Sequence, residues 1–137
     1  MSGPIPEPTP ETLPFWAATA RGALQIQRCS SCRRHYFYPR PFCPRCGSAD
    51  VSWTRVSGSA RLVSYVINHR PLPPFDPETP IVIALVQLTE GPRLMTNIVD
   101  VPPDPAALRL DMPLEVTFVE RGTFNLPVFK PAGAVAR

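Results

Sequence analysis

Residues 28–47 read RCSSCRRHYFYPRPFCPRCG, and the two CxxC pairs in this stretch constrain the fold more than any other feature of the chain. A two-residue gap lets both thiolates of a tight turn point at one ion while the turn's amides bond the sulfurs. Two such turns face to face close a tetrahedron. Cys29, Cys32, Cys43 and Cys46 are therefore read as the ligands of a structural metal, a closed set that supplies folding energy and carries out no reaction. Zinc suits four thiolates, and the same geometry can hold iron. A redox dithiol fits less well, because neither CxxC opens a helix within a βαβ unit. The start, MSGPIPEPTPET, lacks the basic patch and apolar core of a secretory signal, and no apolar run approaches the roughly 20 residues of a membrane span. A reducing, cytoplasmic setting with no membrane partner is expected, where paired cysteines hold metal rather than disulfides.

The rest of the chain reads as mainly β. At 137 residues it has room for one ordinary domain with a small appended module. Residues 1–11 carry proline at alternate positions from Pro4 to Pro10, which predicts a flexible, extended leader. Residues 12–22 predict a short helix, with Thr12 able to cap it, Pro14 in its first turn and Gly22 as its stop. Residues 23–56 form the metal ribbon: a strand through Leu24 and Ile26, a second over Tyr36, Phe37 and Tyr38, and a third over Val51–Val56. Residues 57–131 then hold five strands, at Ala60–His69, Ile81–Leu88, Arg93–Val99, Leu114–Glu120 and Leu126–Phe129, with a helical turn capped by Asp104 between the third and fourth. That order matches a five-stranded OB-type barrel, and the connection from His69 to Pro80 lies where such barrels carry a ligand or partner loop. Residues 132–137 are a tail.

Function is less directly written. Arg21, Arg28, Arg33, Arg34, Arg40 and Arg45 crowd the cysteine region with no acidic residue between Arg21 and Cys46, although the whole chain carries only +3. Lys130 is the only lysine, so the positive groups are planar forks suited to phosphate or carboxylate. Three readings fit this patch: a solvated surface, a single-stranded nucleic-acid contact with Tyr36, Phe37 and Tyr38 as stacking groups, and a site for the phosphates of coenzyme A. His35 and His69 read as surface or strand-end residues. With every cysteine in the metal set, two histidines and no evident carboxylate pair, no catalytic residue is assigned and catalysis by this chain alone is not expected.

A helix with PFW, a strand ending RC, the CxxC and CPRCG pairs, a strand opening after Gly58 and MPLEV followed by PVFKP together resemble the DUF35 family, OB-fold proteins with an N-terminal rubredoxin-like zinc ribbon. The resemblance runs from Leu13 to Pro131. It implies a noncatalytic accessory subunit in a hetero-oligomer with a thiolase-superfamily aldolase or thiolase, or with a MaoC-type hydratase. In some members the setting is sterol side-chain degradation. It implies zinc on Cys29, Cys32, Cys43 and Cys46, and an acyl-CoA site that the subunit helps form or stabilise. Arg33, Arg34, Arg40 and Arg45 are the candidates for CoA phosphates. Phe15, Trp16, Tyr36, Phe37, Tyr38, Leu72 and Phe75 are the candidates for partner contact.

Overall fold

The computed structural model describes residues 3–133, so Met1 and Ser2 of the leader and residues 134–137 of the expected tail lie outside the described residues. The chain is mostly β, with one short helix. Helix α1 (Leu13–Ala20) follows a turn in which the Thr12 and Leu13 amides both donate to the Thr9 carbonyl. Thr12 stands at the expected N-cap position, but its hydroxyl oxygen accepts from the Thr9 amide and caps nothing, because the preceding turn captures it. The helix ends as expected at Gly22, whose φ is +73°. Gly22 N–H donates to Thr19 and Ala23 N–H to Ala18, a Schellman motif that needs a left-handed residue at Gly22.

Strands β1 (Gln25–Cys29), β2 (His35–Tyr36) and β3 (Val51–Arg55) form an antiparallel ribbon in the order β2-β1-β3. Here β2 is shorter than the expected Tyr36–Tyr38 strand. Pro39 and Pro41 offer the ladder no donor, and the Arg40 amide bonds instead to the Gln27 side chain at 2.6 Å while its carbonyl accepts from the Tyr36 hydroxyl at 2.8 Å. The Phe37–Tyr38 peptide bond is cis.

Strands β4 (Ser59–Asn68), β5 (Ile81–Leu88), β6 (Arg93–Ile98), β7 (Pro113–Arg121) and β8 (Phe124–Pro131) close into a barrel in the order β4-β5-β6-β8-β7. The imperfect alternation of β4 has a cause: its register against β5 shifts between Leu62 and Ser64. A bulge at Val63 keeps Ala60 and Leu62 facing inward before it and Tyr65 and Ile67 packed on the core after it. In β5, Val82, Ala84, Val86 and Leu88 point into the barrel, while Ile81, Ile83 and Leu85 remain half-exposed outside. The expected helical turn is a 3-10 turn over Pro105–Ala107, where the Asp104 carboxylate accepts from the Ala106 amide at 2.9 Å.

Ribbon, helix and barrel share one core. Phe15, Leu24 and Ile26 belong to the same buried cluster as Leu62, Val86, Leu114 and Phe129. Burying Leu24 and Ile26 contributes about 1.5–3 kcal/mol each, so separating ribbon from barrel costs much of a small domain's total stability. Trp16 packs edge-on to Phe124 of β8 at 5.6 Å, and Phe15 meets Phe37 of the ribbon at 5.6 Å, so α1 is the wedge between the two. Among the described residues no helix is long and apolar enough to cross a membrane.

The ribbon hands over to the barrel at Gly58, which has φ +82°, accepts at its carbonyl from the Val116 amide at 2.9 Å and would set any Cβ against the Val116 side chain. Gly58→Ala combines left-handed strain with a shift of Val116, and is expected to lower unfolding free energy by about 2–4 kcal/mol. Guanidinium unfolding with an unchanged slope checks it.

Candidate functional site

The four cysteines arrive from two turns built alike. Cys29 ends β1 and its amide donates to the Arg34 carbonyl at 2.9 Å; the Cys43 amide donates to Ser48 at 2.8 Å. After Cys32 stands Arg33 with φ +64°, and after Cys46 stands Gly47 with φ +76°, so an arginine fills in the first turn the left-handed position that glycine fills in the second. The Ser31 hydroxyl donates to the Ser48 hydroxyl at 2.9 Å and ties the turns together.

All four Sγ atoms lie within 4.8 Å of one another. Cys29 and Cys46 are 3.5 Å apart and Cys32 and Cys43 3.7 Å. A tetrahedron with zinc–sulfur bonds of about 2.3 Å has edges of about 3.8 Å, so the spacing fits zinc. The donor chemistry fits as well. The Cys32 amide bonds the Cys29 sulfur at 3.5 Å, and that bond leads in holding its thiol down at about 6. Cys43 is lowered too, chiefly by the Cys46 amide, with the Arg45 amide adding to it at 3.4 Å. At Cys46 the Ser48 amide favours the thiolate, yet contact with the Cys29 sulfur and burial outweigh it and push the thiol up to about 11. Four sulfurs this close cannot all be thiolates unless a cation sits among them. Cys29, Cys32, Cys43 and Cys46 would hold zinc as a closed tetrathiolate, which contributes folding energy. His35, half-buried in β2, stands outside the set.

Beside the metal turns lies a cleft of about 430 Å³. Arg33, Arg34 and Arg45 line it from the ribbon, and the β5–β6 turn supplies Arg93 and Glu90. Glu90 Oε2 accepts from the Ser57 amide at 2.9 Å, while its buried Oε1 has no hydrogen-bond partner among the described residues. Neither ion pair among the described residues, Arg61–Asp111 or Lys130–Glu115, involves the cleft arginines. Arg40 is not in this cleft; it lines a smaller one with Glu11, Gln27 and Trp53. Arg93 was not signalled by the sequence, because it lies far along the chain in an ordinary hairpin and only the ribbon-to-barrel packing brings it across. At the opposite end of the β5–β6 pair an apolar cleft of about 480 Å³ is lined by Ile81, Val82, Ile98, Val99, Val101 and Val119, with Asn97 and Thr79 at hand.

The expected partner contacts divide by exposure. Phe15 and Tyr36 are 8% and 6% exposed and belong to the interior, so burial withdraws them from the contact set. Both are held by intramolecular partners that the local sequence does not name, the Phe37 ring and the Arg40 carbonyl. Trp16, Phe37 and Phe75 are half-buried, whereas Tyr38 and Leu72 are 58% and 77% exposed.

Residues 16–52 match the rubredoxin-like zinc ribbon domain of ChsH2, and residues 53–119 match the C-terminal OB-fold domain of ChsH2. The chain is similar to a probable enoyl-CoA hydratase alpha subunit of Thermomonospora curvata, with 41% identity over 86% of this chain and 37% of that protein, so it spans little more than a third of that relative's length. It is also similar to a DUF35 domain-containing scaffold protein of Methanothermobacter thermautotrophicus, with 33% identity over 69% of this chain and 72% of that one. Among solved structures, a chain of the Ltp2-ChsH2(DUF35) aldolase superposes with a TM-score of 0.81 at 36% identity, covering 93% of this chain and 99% of that one.

Metal analysis of the purified protein is expected to give about one zinc per chain. Cys43→Ser, which removes a buried sulfur, should take the zinc content close to zero and lower the melting temperature of barrel and ribbon together.

Proposed function

We propose, because this chain belongs to the DUF35 family of ChsH2-type zinc-ribbon and OB-fold proteins, that it is a noncatalytic subunit of an acyl-CoA-processing enzyme. Its partner is a thiolase-like aldolase, and the subunit helps form or stabilise the partner's acyl-CoA site. The observation that carries the reading is the likeness along nearly the whole of a chain of the Ltp2-ChsH2(DUF35) aldolase.

The arginine cleft supplies the chemistry for such a role. Coenzyme A presents several phosphate charges at one end, and Arg33, Arg34, Arg45 and Arg93 line a shared space with one carboxylate, Glu90, and among the described residues none of the four is in an ion pair. Charge-assisted bonds from guanidinium forks to phosphate oxygens are the strong kind, and they orient as well as attract. Arg40, placed elsewhere, falls out of this role. Trp16, Phe37, Tyr38, Leu72 and Phe75 remain the contacts proposed for the partner. A MaoC-type hydratase is the second reading of the partner, favoured by the name of the Thermomonospora curvata relative. Single-stranded nucleic acid is disfavoured, since Tyr36 is buried and Phe37 is packed on Phe15, which leaves Tyr38 as the exposed one of the three rings expected to stack on bases.

The test is purification of the tagged chain from its source organism in moderate salt, followed by reconstitution with the enzyme it retains. A stoichiometric thiolase-superfamily subunit whose cleavage of β-hydroxyacyl-CoA requires this chain supports the reading. A hydratase in its place selects the second, and nucleic acid with neither enzyme overturns both. In the reconstituted complex, Arg34→Glu with Arg93→Glu is expected to raise KM for the CoA thioester by about tenfold or more while leaving zinc content unchanged. An unchanged KM removes the cleft from the site.

A further inference from the structure

Arg121, at the end of β7, is only 5% exposed. Its Nη1 donates to the Pro4 carbonyl at 2.9 Å, and the guanidinium carbon lies 5.9 Å from the centre of the Phe75 ring. Nε and Nη2 are buried and have no acceptor, and among the described residues no carboxylate pairs with the group. Burial pushes the guanidinium below its ordinary value, although an arginine stays charged in protein. A buried charge without its counter-charge is a costly arrangement, and it weakens the free chain instead of strengthening it.

The identity of the two orphan donors narrows what they are for. Nε and Nη2 share one edge of the planar fork, and their parallel N–H bonds match the two oxygens of a single carboxylate. The amino-terminal segment meets the guanidinium from its Nη1 side. Gly3 lies against Arg121 and Phe75 so closely that a Cβ on it would come within 2.5 Å of Nη1 and 2.8 Å of the ring. Ile5 is 59% exposed, and its side chain rests over Gly122. Beside them, Leu72 stands 77% exposed in the turn that its carbonyl closes by accepting from the Phe75 amide at 3.0 Å. A desolvated arginine with exposed apolar side chains, Ile5 and Leu72, on the segments that flank it is the chemistry of an interface centre.

We propose that Arg121 is a docking point for an aspartate or glutamate side chain of the partner subunit, and that Gly3–Ile5 is a strap that lies against the guanidinium until the partner displaces it. This rests on the subunit reading given above. The strap satisfies Nη1 and lies against the guanidinium carbon; the partner's carboxylate satisfies Nε and Nη2 and restores charge balance.

Two measurements test it. In the free full-length chain, the Arg121 Nε–H resonance is followed during titration with sodium acetate against sodium chloride at equal ionic strength. Gly3→Val, which crowds the strap off the guanidinium, is expected to give a saturable, acetate-specific shift that is weaker in the unaltered chain and absent in Arg121→Gln. No acetate-specific shift in Gly3→Val overturns the proposal. In the reconstituted complex, Arg121→Gln is expected to weaken assembly by at least about tenfold without lowering the free chain's melting temperature, and replacement of one partner carboxylate should reproduce that loss with no further loss in the double variant. If the complex forms equally well with Arg121→Gln, the docking point falls and the subunit reading stands. If the unaltered chain binds no such enzyme, the subunit reading falls and the partner source of the carboxylate falls with it.

Discussion

Four sulfurs gathered within 4.8 Å set the terms for everything near them. Backbone amides lower the thiols of Cys29 and Cys43, contact with its neighbours raises that of Cys46, and only a cation removes the conflict. Once the two turns are joined, β1 is anchored at Cys29, and its other end presents Leu24 and Ile26 to the barrel. The same turns carry Arg33, Arg34 and Arg45 on their outer side, so the metal orients the cleft as well as the ribbon.

The chemistry-bearing features legible in sequence were the local ones. Paired cysteines two residues apart identify their own ligand set, since spacing and geometry are the same fact at that range. Asp104 could be read as a cap and Gly22 as a stop for the same reason. Interactions across the chain were not legible. The Val63 bulge in β4 is invisible until β5 lies beside it, and Thr12 lost its capping role to a turn three residues upstream. Phe15 and Tyr36 were candidates for contact and lie in the interior, because hydrophobicity does not reveal which surface a ring will meet. Arg40 and Arg93 exchanged places for the same reason, as adjacency in sequence proved a poor guide to adjacency in space.

The outer face of β5 shows how the two halves of the molecule differ. A strand in a closed barrel needs only its inward residues to be apolar, and Val82, Ala84, Val86 and Leu88 meet that need. Ile81, Ile83 and Leu85 are apolar beyond it, and Val66 and Met95, on the neighbouring strands, are 60% and 69% exposed. This face of the barrel therefore offers water an apolar patch, while the ribbon offers a cationic cleft.

The shared core has a consequence for how the chain responds to its surroundings. Because Leu24 and Ile26 are buried in the same cluster as the barrel residues, ribbon and barrel are one cooperative unit. Any ion that binds the folded ribbon more tightly than the unfolded chain then stabilises the distant barrel strands by the same free energy, a quantity that grows with the logarithm of ion concentration. The equilibrium stability of a β-barrel that touches no metal thereby comes to depend on how much free zinc surrounds the chain.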